Sequence, residues 1–193
     1  MKESPKKAIR KKFRDARNAL PVNEIIAKSR KIAAELFRLP EYAAAKTILY
    51  YVSFGSEVNT HEMIKASLKA GKEVFVPITD IKNKCLHLSR ISDPDAELAP
   101  STFGILEPKR ECLKPAEKKI IDLIVAPGIA FDRDFNRIGY GGGFYDSLFA
   151  ETEARAVKAA LCFEMQITEG IPAGLTDRKV DIIVTEKGSR RRS

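Results

Sequence analysis

Residues 120–146 read IIDLIVAPGIAFDRDFNRIGYGGGFYD and join three local patterns. The opening IIDLIVAP is dense in branched apolar residues, which predicts a strand buried on both faces. Four glycines follow between residues 139 and 143, and a helix is predicted from about Gly142 to Glu153. Glycines between a strand and a helix let backbone N–H groups approach an anion, and the helix N-terminus adds the positive end of its dipole. The stretch therefore predicts an anion-binding loop after a buried strand.

Helices and strands alternate along much of the remaining chain. Alternation of this kind favours an α/β fold with a mostly parallel sheet, helices on both faces, and ligands at the carboxyl ends of the strands. We expect a single three-layer domain over residues 1–193. The predicted helices span residues 5–20, 23–39 and 60–71, and the predicted strands span residues 47–54, 73–77, 85–91, 157–162 and 181–185.

Two segments lack a regular period. Residues 92–118 contain four prolines and are expected to form loops or short turns over the surface. Residues 187–193 end in SRRRS, and this run of like charges predicts a disordered basic tail. Deleting residues 190–193 is expected to leave the activity unchanged.

The chain of 193 residues carries 34 Lys and Arg against 26 Asp and Glu, a net charge of +8. This balance indicates an anionic partner: nucleic acid, a membrane surface, or a small polyanion such as a nucleotide. The longest apolar stretch, residues 120–131, contains Asp122 and Pro127 and is too short to span a bilayer. No signal peptide opens the chain, so we expect a cytoplasmic protein.

The three cysteines, Cys85, Cys112 and Cys162, lie far apart and form no CxxC pair. The only histidines that could accompany them as ligands are His61 and His87, which we expect to be structural. This spacing favours neither a disulfide framework nor a zinc site.

Charged side chains stand where ligand binding is expected. Arg137 lies just before the glycines and could donate two charge-assisted hydrogen bonds to a phosphate. Asp146 lies just after them and could hold a divalent cation. Glu57 comes shortly after a predicted buried strand, where the sites of α/β proteins gather. Lys6 and Arg10 lie four residues apart on one face of a basic helix.

Taken with its flanks, the glycine stretch resembles the 5-formyltetrahydrofolate cyclo-ligase family, also called the 5,10-methenyltetrahydrofolate synthetases. The family pattern PG-x-x-FD followed by R-[LI]-G-x-G-x-G-[FY]-YD is matched from Pro127 to Asp146. Shorter family elements occur in the same order along the chain: Lys6 with Arg10, Val52 with Glu57, GILEP from Gly104 to Pro108, Phe163 with Gln166, and D-x-x-VD from Asp177 to Asp181.

The resemblance implies a cytoplasmic ligase of folate metabolism that uses ATP and Mg²⁺ to cyclise 5-formyltetrahydrofolate to 5,10-methenyltetrahydrofolate, releasing ADP and phosphate. It implies small-molecule substrates and no membrane partner, and we expect a monomer. By resemblance, Arg137 and Tyr145 are catalytic, Asp146 and Asp177 hold Mg²⁺, and Asp181 competes with Asp177. The implied ATP-binding residues are Lys6, Arg10, Arg137, Ile138, Gly139, Tyr140, Gly141, Gly142, Gly143, Phe144 and Tyr145, and the implied folate-binding residues are Val52, Glu57, Tyr140, Gly141, Gly142, Gly143 and Phe144.

One departure concerns the charge of the glycine loop. Some relatives carry Lys or Arg inside it, where this chain has Tyr140 and Gly142. Arg137 is therefore expected to carry more of the positive charge beside a bound phosphate.

The alternative hypothesis is a nucleic-acid-binding accessory protein that uses the basic N-terminal helix. Against it, the chain has no Trp, no RNP-like aromatic pair and no zinc-finger spacing.

The two hypotheses make different predictions for the N-terminal helix. If Arg10 contacts the phosphates of ATP, Arg10→Ala should lower kcat/KM on the order of a hundred-fold, the scale of one lost preorganised donor. Lys11→Ala and Lys12→Ala are the matched controls and should cost little. Equal losses at all three positions would instead indicate general phosphate attraction.

Overall fold

The computed structural model describes residues 4–101, 104–152 and 156–192. Its α-helices are α1 Pro5–Asn18, α2 Val22–Arg38, α3 Pro40–Ala44, α4 His61–Lys69, α5 Pro94–Glu97 and α6 Phe144–Thr152. Its strands are β1 Thr47–Tyr50, β2 Glu73–Asp80, β3 Cys85–Ile91, β4 Leu98–Pro100, β5 Leu106–Pro108, β6 Pro115–Ala116, β7 Leu123–Ala126, β8 Ala130–Asp132, β9 Arg137–Ile138, β10 Val157–Leu161, β11 Ile167–Thr168, β12 Ile182–Thr185 and β13 Gly188–Arg191. Among the described residues, no helix is long and apolar enough to cross a membrane.

Eight strands form the central sheet in the order β13-β12-β10-β7-β1-β2-β3-β6. The five in the middle, from β12 to β2, pair in parallel. Antiparallel strands flank them, with β13 at one side and β3 and β6 at the other. A three-stranded sheet, β11-β8-β9, and the hairpin of β4 with β5 are separate from it.

Both faces of the central sheet are covered by helices. Successive residues of a strand point to opposite faces, so Ile48 and Leu49 of β1 enter different cores, and both are fully buried. Leu36 of α2 belongs to the core on the Ile48 side, whereas Leu148 of α6 belongs to the core on the Leu49 side. Burial on both faces explains why the central strands are continuous apolar runs. The predicted α/β fold, with a mostly parallel sheet between helices, is confirmed.

The predicted loop over residues 92–118 is only partly irregular. It contains α5, the hairpin of β4 with β5, and β6, which pairs with β3 at the edge of the central sheet. Each element is short, and the prolines stand at its ends: Pro94 begins α5, Pro100 ends β4, and Pro108 ends β5. Proline therefore limits the length of these elements without preventing them.

The prediction of a disordered tail over residues 187–193 is wrong for the residues that the structure describes. Gly188 to Arg191 form β13, which pairs with β12 and covers the edge of the sheet. Gly188 has φ +125°, a conformation in which the chain can turn back after β12. The arginines bind carboxylates from other segments: Arg190 pairs with Glu164, Arg191 with Glu41, and Arg192 with Asp181. A run of like charges indicated a solvated tail only because these partners are remote in the sequence.

The pairing of β13 predicts that the C-terminus contributes to stability. Deleting residues 188–193 should lower the melting temperature, because each lost strand hydrogen bond costs about 1 kcal/mol and the edge of β12 becomes exposed. Arg191→Ala is the matched control. It removes one half-exposed ion pair and should cost less than about 1 kcal/mol. Thermal unfolding followed by circular dichroism measures both, and an unchanged melting temperature in the truncated chain would contradict the role of β13.

Candidate active site

A cavity of about 940 Å³ opens where the chain leaves β1 and β7. Tyr51 and Val52 follow β1, Pro127 follows β7, and all three line the cavity. The structure brings every site residue predicted from the sequence to its walls: Lys6, Arg10, Val52, Glu57, Arg137, Ile138, Gly139, Tyr140, Gly141, Gly142, Gly143, Phe144, Tyr145, Asp146 and Asp177.

Asp181, the competing metal ligand, is not among the lining residues. Its carboxylate instead accepts the backbone N–H of Lys158 at 2.9 Å and the guanidinium of Arg192 at 2.7 Å. Of the two acids that the sequence left open, Asp177 is therefore the one at the cavity.

Buried polar side chains hold the segment between β7 and the glycines. The Asp132 carboxylate accepts the backbone N–H groups of Asp134 and Asn136 at 3.0 and 2.9 Å and that of Ile171 at 2.9 Å. Gln166 donates to the carbonyls of Gly128 and Ile129 at 2.9 and 3.0 Å. Together with the pairing of β8 with β9 and with β11, these groups satisfy the backbone of the segment and fix its course.

The glycine loop needs glycine for two separate reasons. Gly141 and Gly143 have φ of +107° and +76°, which side chains other than glycine rarely adopt. Gly139 approaches Arg137 so closely that a Cβ there would lie 2.6 Å from the guanidinium Nη1. The loop leads directly into α6, so its backbone and the N-terminus of a nine-residue helix face the same cavity.

Three cationic side chains surround this loop. Arg10 Nε donates to the carbonyl oxygen of Gly139 at 2.9 Å, which ties α1 to the loop. The buried Arg137 guanidinium lies with its Nη2 3.3 Å from Asp146 Oδ1, and its Cζ is 5.5 Å from the centroid of the Tyr145 ring. Lys6 forms an ion pair with Asp177. The cavity is therefore positively charged on the side of the glycines, with two carboxylates next to the cations.

Asp177 is ionised despite partial burial. Burial raises the pKa of its carboxyl group, but hydrogen bonds from the backbone N–H of Gly174 and from Lys6, together with the charge of Arg137, outweigh it and lower the pKa below the ordinary value. The neighbouring Asp146 accepts the backbone N–H of Arg178 at 3.1 Å. Both carboxylates line the cavity, and their oxygen atoms are the kind of ligand that Mg²⁺ prefers.

A second polar network lies on the side of β1. The Tyr140 hydroxyl donates to Glu57 Oε1 and accepts from Arg17 Nη2 at 2.8 Å, while Glu57 Oε2 accepts the backbone N–H of Phe54 at 3.1 Å. Burial raises the pKa of Glu57, although Tyr140, Arg17 and the Phe54 N–H oppose that rise. Burial also raises the pKa of Tyr140 well above its ordinary value. The network joins the glycine loop to the segment after β1.

Tyr145 lines the cavity with a buried hydroxyl group. Among the residues that the structure describes, this hydroxyl has no hydrogen-bond partner, as is also true of Arg137 Nε, and burial raises the pKa of Tyr145 far above the ordinary value. A buried hydroxyl without a partner costs free energy.

Sequence reasoning missed Arg17 and Glu107. Arg17 has no signal of its own within the basic N-terminal helix, yet it is 4% exposed and contacts Tyr140 and the loop after β1. Glu107 lies in the GILEP element, lines the cavity, and accepts the backbone N–H of Thr79 at 2.9 Å. The GILEP pattern was a signal for Glu107, whereas nothing local distinguishes Arg17 from its basic neighbours.

The fold and this cavity define an α/β enzyme that binds a phosphate-bearing ligand. A family model described as the 5-formyltetrahydrofolate cyclo-ligase family matches residues 2–186. The chain belongs to the 5-formyltetrahydrofolate cyclo-ligase family.

Individual relatives agree with this assignment. The 5-formyltetrahydrofolate cyclo-ligase of Mus musculus is 30% identical, with 95% of this chain and 94% of the relative covered. A probable 5-formyltetrahydrofolate cyclo-ligase of Schizosaccharomyces pombe is 30% identical over 83% of this chain and 85% of its own. The solution structure of 5,10-methenyltetrahydrofolate synthetase from Aquifex aeolicus superimposes with a TM-score of 0.85 at 31% identity, covering 97% of this chain and 93% of the other.

The raised pKa of Glu57 predicts a pH-dependent stability. Folded Glu57 keeps its proton to a higher pH than the unfolded chain does. The free energy of unfolding of the unmodified chain, compared with that of the non-titrating Glu57→Gln variant, should therefore fall as pH rises from about 4.3 through the raised pKa of Glu57. Melting temperatures of both chains over that range measure the difference.

Glu164 is the matched control, because its effect on stability should change with pH in the opposite direction. The hydrogen bond from Arg190 lowers its pKa, so the stability that ionised Glu164 adds is present above about 4.3 and is lost as pH falls. The difference between the unmodified chain and Glu164→Gln should therefore grow with pH. A Glu57 difference that also grows with pH would contradict the burial effect.

Proposed function

We propose that this chain catalyses the ATP- and Mg²⁺-dependent cyclisation of 5-formyltetrahydrofolate to 5,10-methenyltetrahydrofolate, with release of ADP and phosphate. The observation that carries the proposal is the composition of one cavity. Its glycine side combines Lys6, Arg10 and Arg137 with a helix N-terminus, and its other side combines apolar surface with buried acids. The first side suits a triphosphate, and the second suits a heteroaromatic ring with N–H donors.

The glycine side is the proposed ATP site. The segment from Arg137 to Tyr145 would surround the phosphates, with backbone N–H groups that come close because the loop lacks side chains. Arg10 already contacts the loop, and Lys6 stands beside Asp177. Arg137 is held rigidly by its buried position and its contact with Asp146, so it would meet developing phosphate charge without reorganisation.

The residues at the cavity fit Mg²⁺. Asp146 and Asp177 would hold it, since they are carboxylates next to the proposed phosphate site, and Mg²⁺ is commonly bound by one or two carboxylates together with substrate phosphates. When bound, Mg²⁺ supplies charge neutralisation on the phosphates. Lys6 pairs with Asp177 and Arg137 with Asp146, so both carboxylates stay oriented towards the site.

The other side is the proposed folate site. Phe54 and Tyr140 form an aromatic pair with ring centroids 5.7 Å apart, and Val52 adds apolar surface beside them. Glu57 and Glu107 are buried acids on the same cavity. Each would accept hydrogen bonds from N–H groups of the pterin ring, and the Gly141 to Phe144 backbone would contact both the ring and the phosphates.

The proposed reaction begins with attack of the formyl oxygen on the γ-phosphorus of ATP, which releases ADP. N10 then adds to the activated formyl carbon, and loss of phosphate and of the N10 proton gives the methenyl product. Phosphoryl transfer needs positioning and charge neutralisation more than covalent help. Arg137 is proposed to stabilise the transferred phosphoryl group, and the unpartnered hydroxyl of Tyr145 to donate a hydrogen bond to it.

Residues from α1 to Asp177 line one cavity, and we propose a single catalytic domain. The nucleic-acid alternative gains no support. Lys6 and Arg10 are turned to the cavity, and Lys11 forms an ion pair with Asp15 on its own helix.

The direct test mixes the purified chain with ATP, Mg²⁺ and 5-formyltetrahydrofolate and follows the absorbance of the methenyl product. Product should form at the same rate as ADP and only when ATP is present. ADP release without methenyl product, or no product at any temperature at which the chain is folded, would contradict the proposal.

The proposed metal ligands predict the effect of removing one charge. Asp146→Asn keeps the size of the side chain but loses its charge, so the variant should need more Mg²⁺ for half-maximal rate and should turn over more slowly. Asp181→Asn is the matched control, because Asp181 is not among the residues that line the cavity. The Mg²⁺ titration of this variant should be unchanged. An unchanged Mg²⁺ titration for Asp146→Asn in a folded chain would contradict its assignment as a ligand.

A further inference from the structure

The hairpin of β2 with β3 carries three potential metal ligands away from the cavity. Asp80 ends β2 directly opposite Cys85, which begins β3, and His87 follows two residues later. Alternate residues of a strand share a face, so Cys85 and His87 lie on the same face as Asp80. The intervening pair of Thr79 and Leu86 points to the other face and lines the cavity. The three ligands and the proposed catalytic site are therefore on opposite faces of one hairpin.

The distances within this group suit one tetrahedral ion. His87 Nε2 lies 3.4 Å from Asp80 Oδ2 and 3.8 Å from Cys85 Sγ, and the three donor atoms all lie within 4.8 Å of one another. Ligand atoms bound to zinc in a tetrahedron lie about 3.3–3.8 Å apart, given Zn–N, Zn–O and Zn–S bonds of about 2.0–2.3 Å. Two of the three separations already match, so only a small movement of Cys85 or Asp80 is needed.

Asn83, which lies outside the group, orients the Asp80 carboxylate through two hydrogen bonds. The backbone N–H of Asn83 donates to Asp80 Oδ1 at 2.9 Å, and its side-chain amide donates to Asp80 Oδ2 at 2.7 Å. Such outer hydrogen bonds orient a carboxylate for a metal. The register of the hairpin runs without a break from Val74 with Ile91 to Asp80 with Cys85, which fixes the spacing of the three Cα atoms.

We propose that Asp80, Cys85 and His87 form a binding site for one zinc-like divalent ion. The donor set of one thiolate, one imidazole and one carboxylate selects Zn²⁺ or Co²⁺ over Mg²⁺, which prefers oxygen ligands alone. The His87 side chain is 62% exposed and Cys85 is half-buried, so an ion has a path of entry and a fourth position faces solvent. The site departs from the sequence expectation, because D-x4-C-x-H is not a zinc-finger spacing and becomes a ligand set only through the hairpin.

Cobalt titration tests this site independently of the proposed function. The full-length chain without an affinity tag, reduced and stripped of metal, is titrated with Co²⁺ in excess Mg²⁺, which occupies oxygen-ligand sites. We expect a near-ultraviolet thiolate-to-cobalt charge-transfer band and intense visible bands of tetrahedral cobalt, both saturating at one equivalent. Zn²⁺ should then remove both.

Variants assign the ligands. Cys85→Ser should abolish the charge-transfer band, and His87→Gln, an exposed change that the fold tolerates, should weaken Co²⁺ binding by at least about tenfold. Cys112→Ser is the matched control, since Cys112 is a half-buried thiol that is not part of the ligand group, and it should leave the spectrum unchanged. No thiolate band in the unmodified chain, or a band kept in Cys85→Ser and lost in Cys112→Ser, would overturn the proposal.

Discussion

β7 is hydrogen-bonded in parallel to β1 on one side and to β10 on the other, and this pairing decides where the cavity lies. The register sets Tyr50 beside Val125, so both strands end at the same edge of the sheet. The segment after β1 and the segment after β7 therefore leave the sheet side by side. Had the two strands paired antiparallel, Glu57 and the glycine loop would lie at opposite edges, and the Tyr140–Glu57 contact could not form.

The segment after β7 depends on buried polar groups as well as on the short paired strands β8 and β9. Asp132 and Gln166 satisfy its backbone, and Arg137 lies beneath its glycines. A polar interior of this kind is stable only when each group finds a partner. Among the described residues of the cavity wall, the Tyr145 hydroxyl and Arg137 Nε are buried without a partner. A rigid backbone beside unpartnered polar groups is suited to binding a charged substrate in one orientation.

Basic residues that are close in the sequence have different partners in this protein. The helix α1 is basic over its length, yet Arg10 contacts the glycine loop, Arg17 contacts the Tyr140 network, and Lys11 pairs with Asp15 on its own helix. At the other end of the chain, Arg190 and Arg191 stabilise an edge strand through Glu164 and Glu41. The net charge of +8 therefore does not mark one uniform surface.

The sequence by itself determined the features that local pattern encodes. Strands buried on both faces must be apolar throughout, so TILY in β1 and LIVA in β7 were visible, and the alternation of strands with helices predicted the α/β sheet. The glycine loop was visible because positive φ and close approach leave few residue choices at Gly139, Gly141 and Gly143. The family elements placed Lys6, Glu57 and Asp177 in one predicted site, although they are remote from one another in the chain.

Only the tertiary structure decided which charged groups meet. Glu107 lies in the cavity wall and Arg17 binds Tyr140 behind it, whereas Asp181 faces away and the arginine run forms β13. Asp80, Cys85 and His87 were brought together by the register of a hairpin. The physical reason is the same in each case. The position of a charged side chain depends on the partner that compensates its charge, and that partner lies in a segment which packing, and no local period, brings alongside.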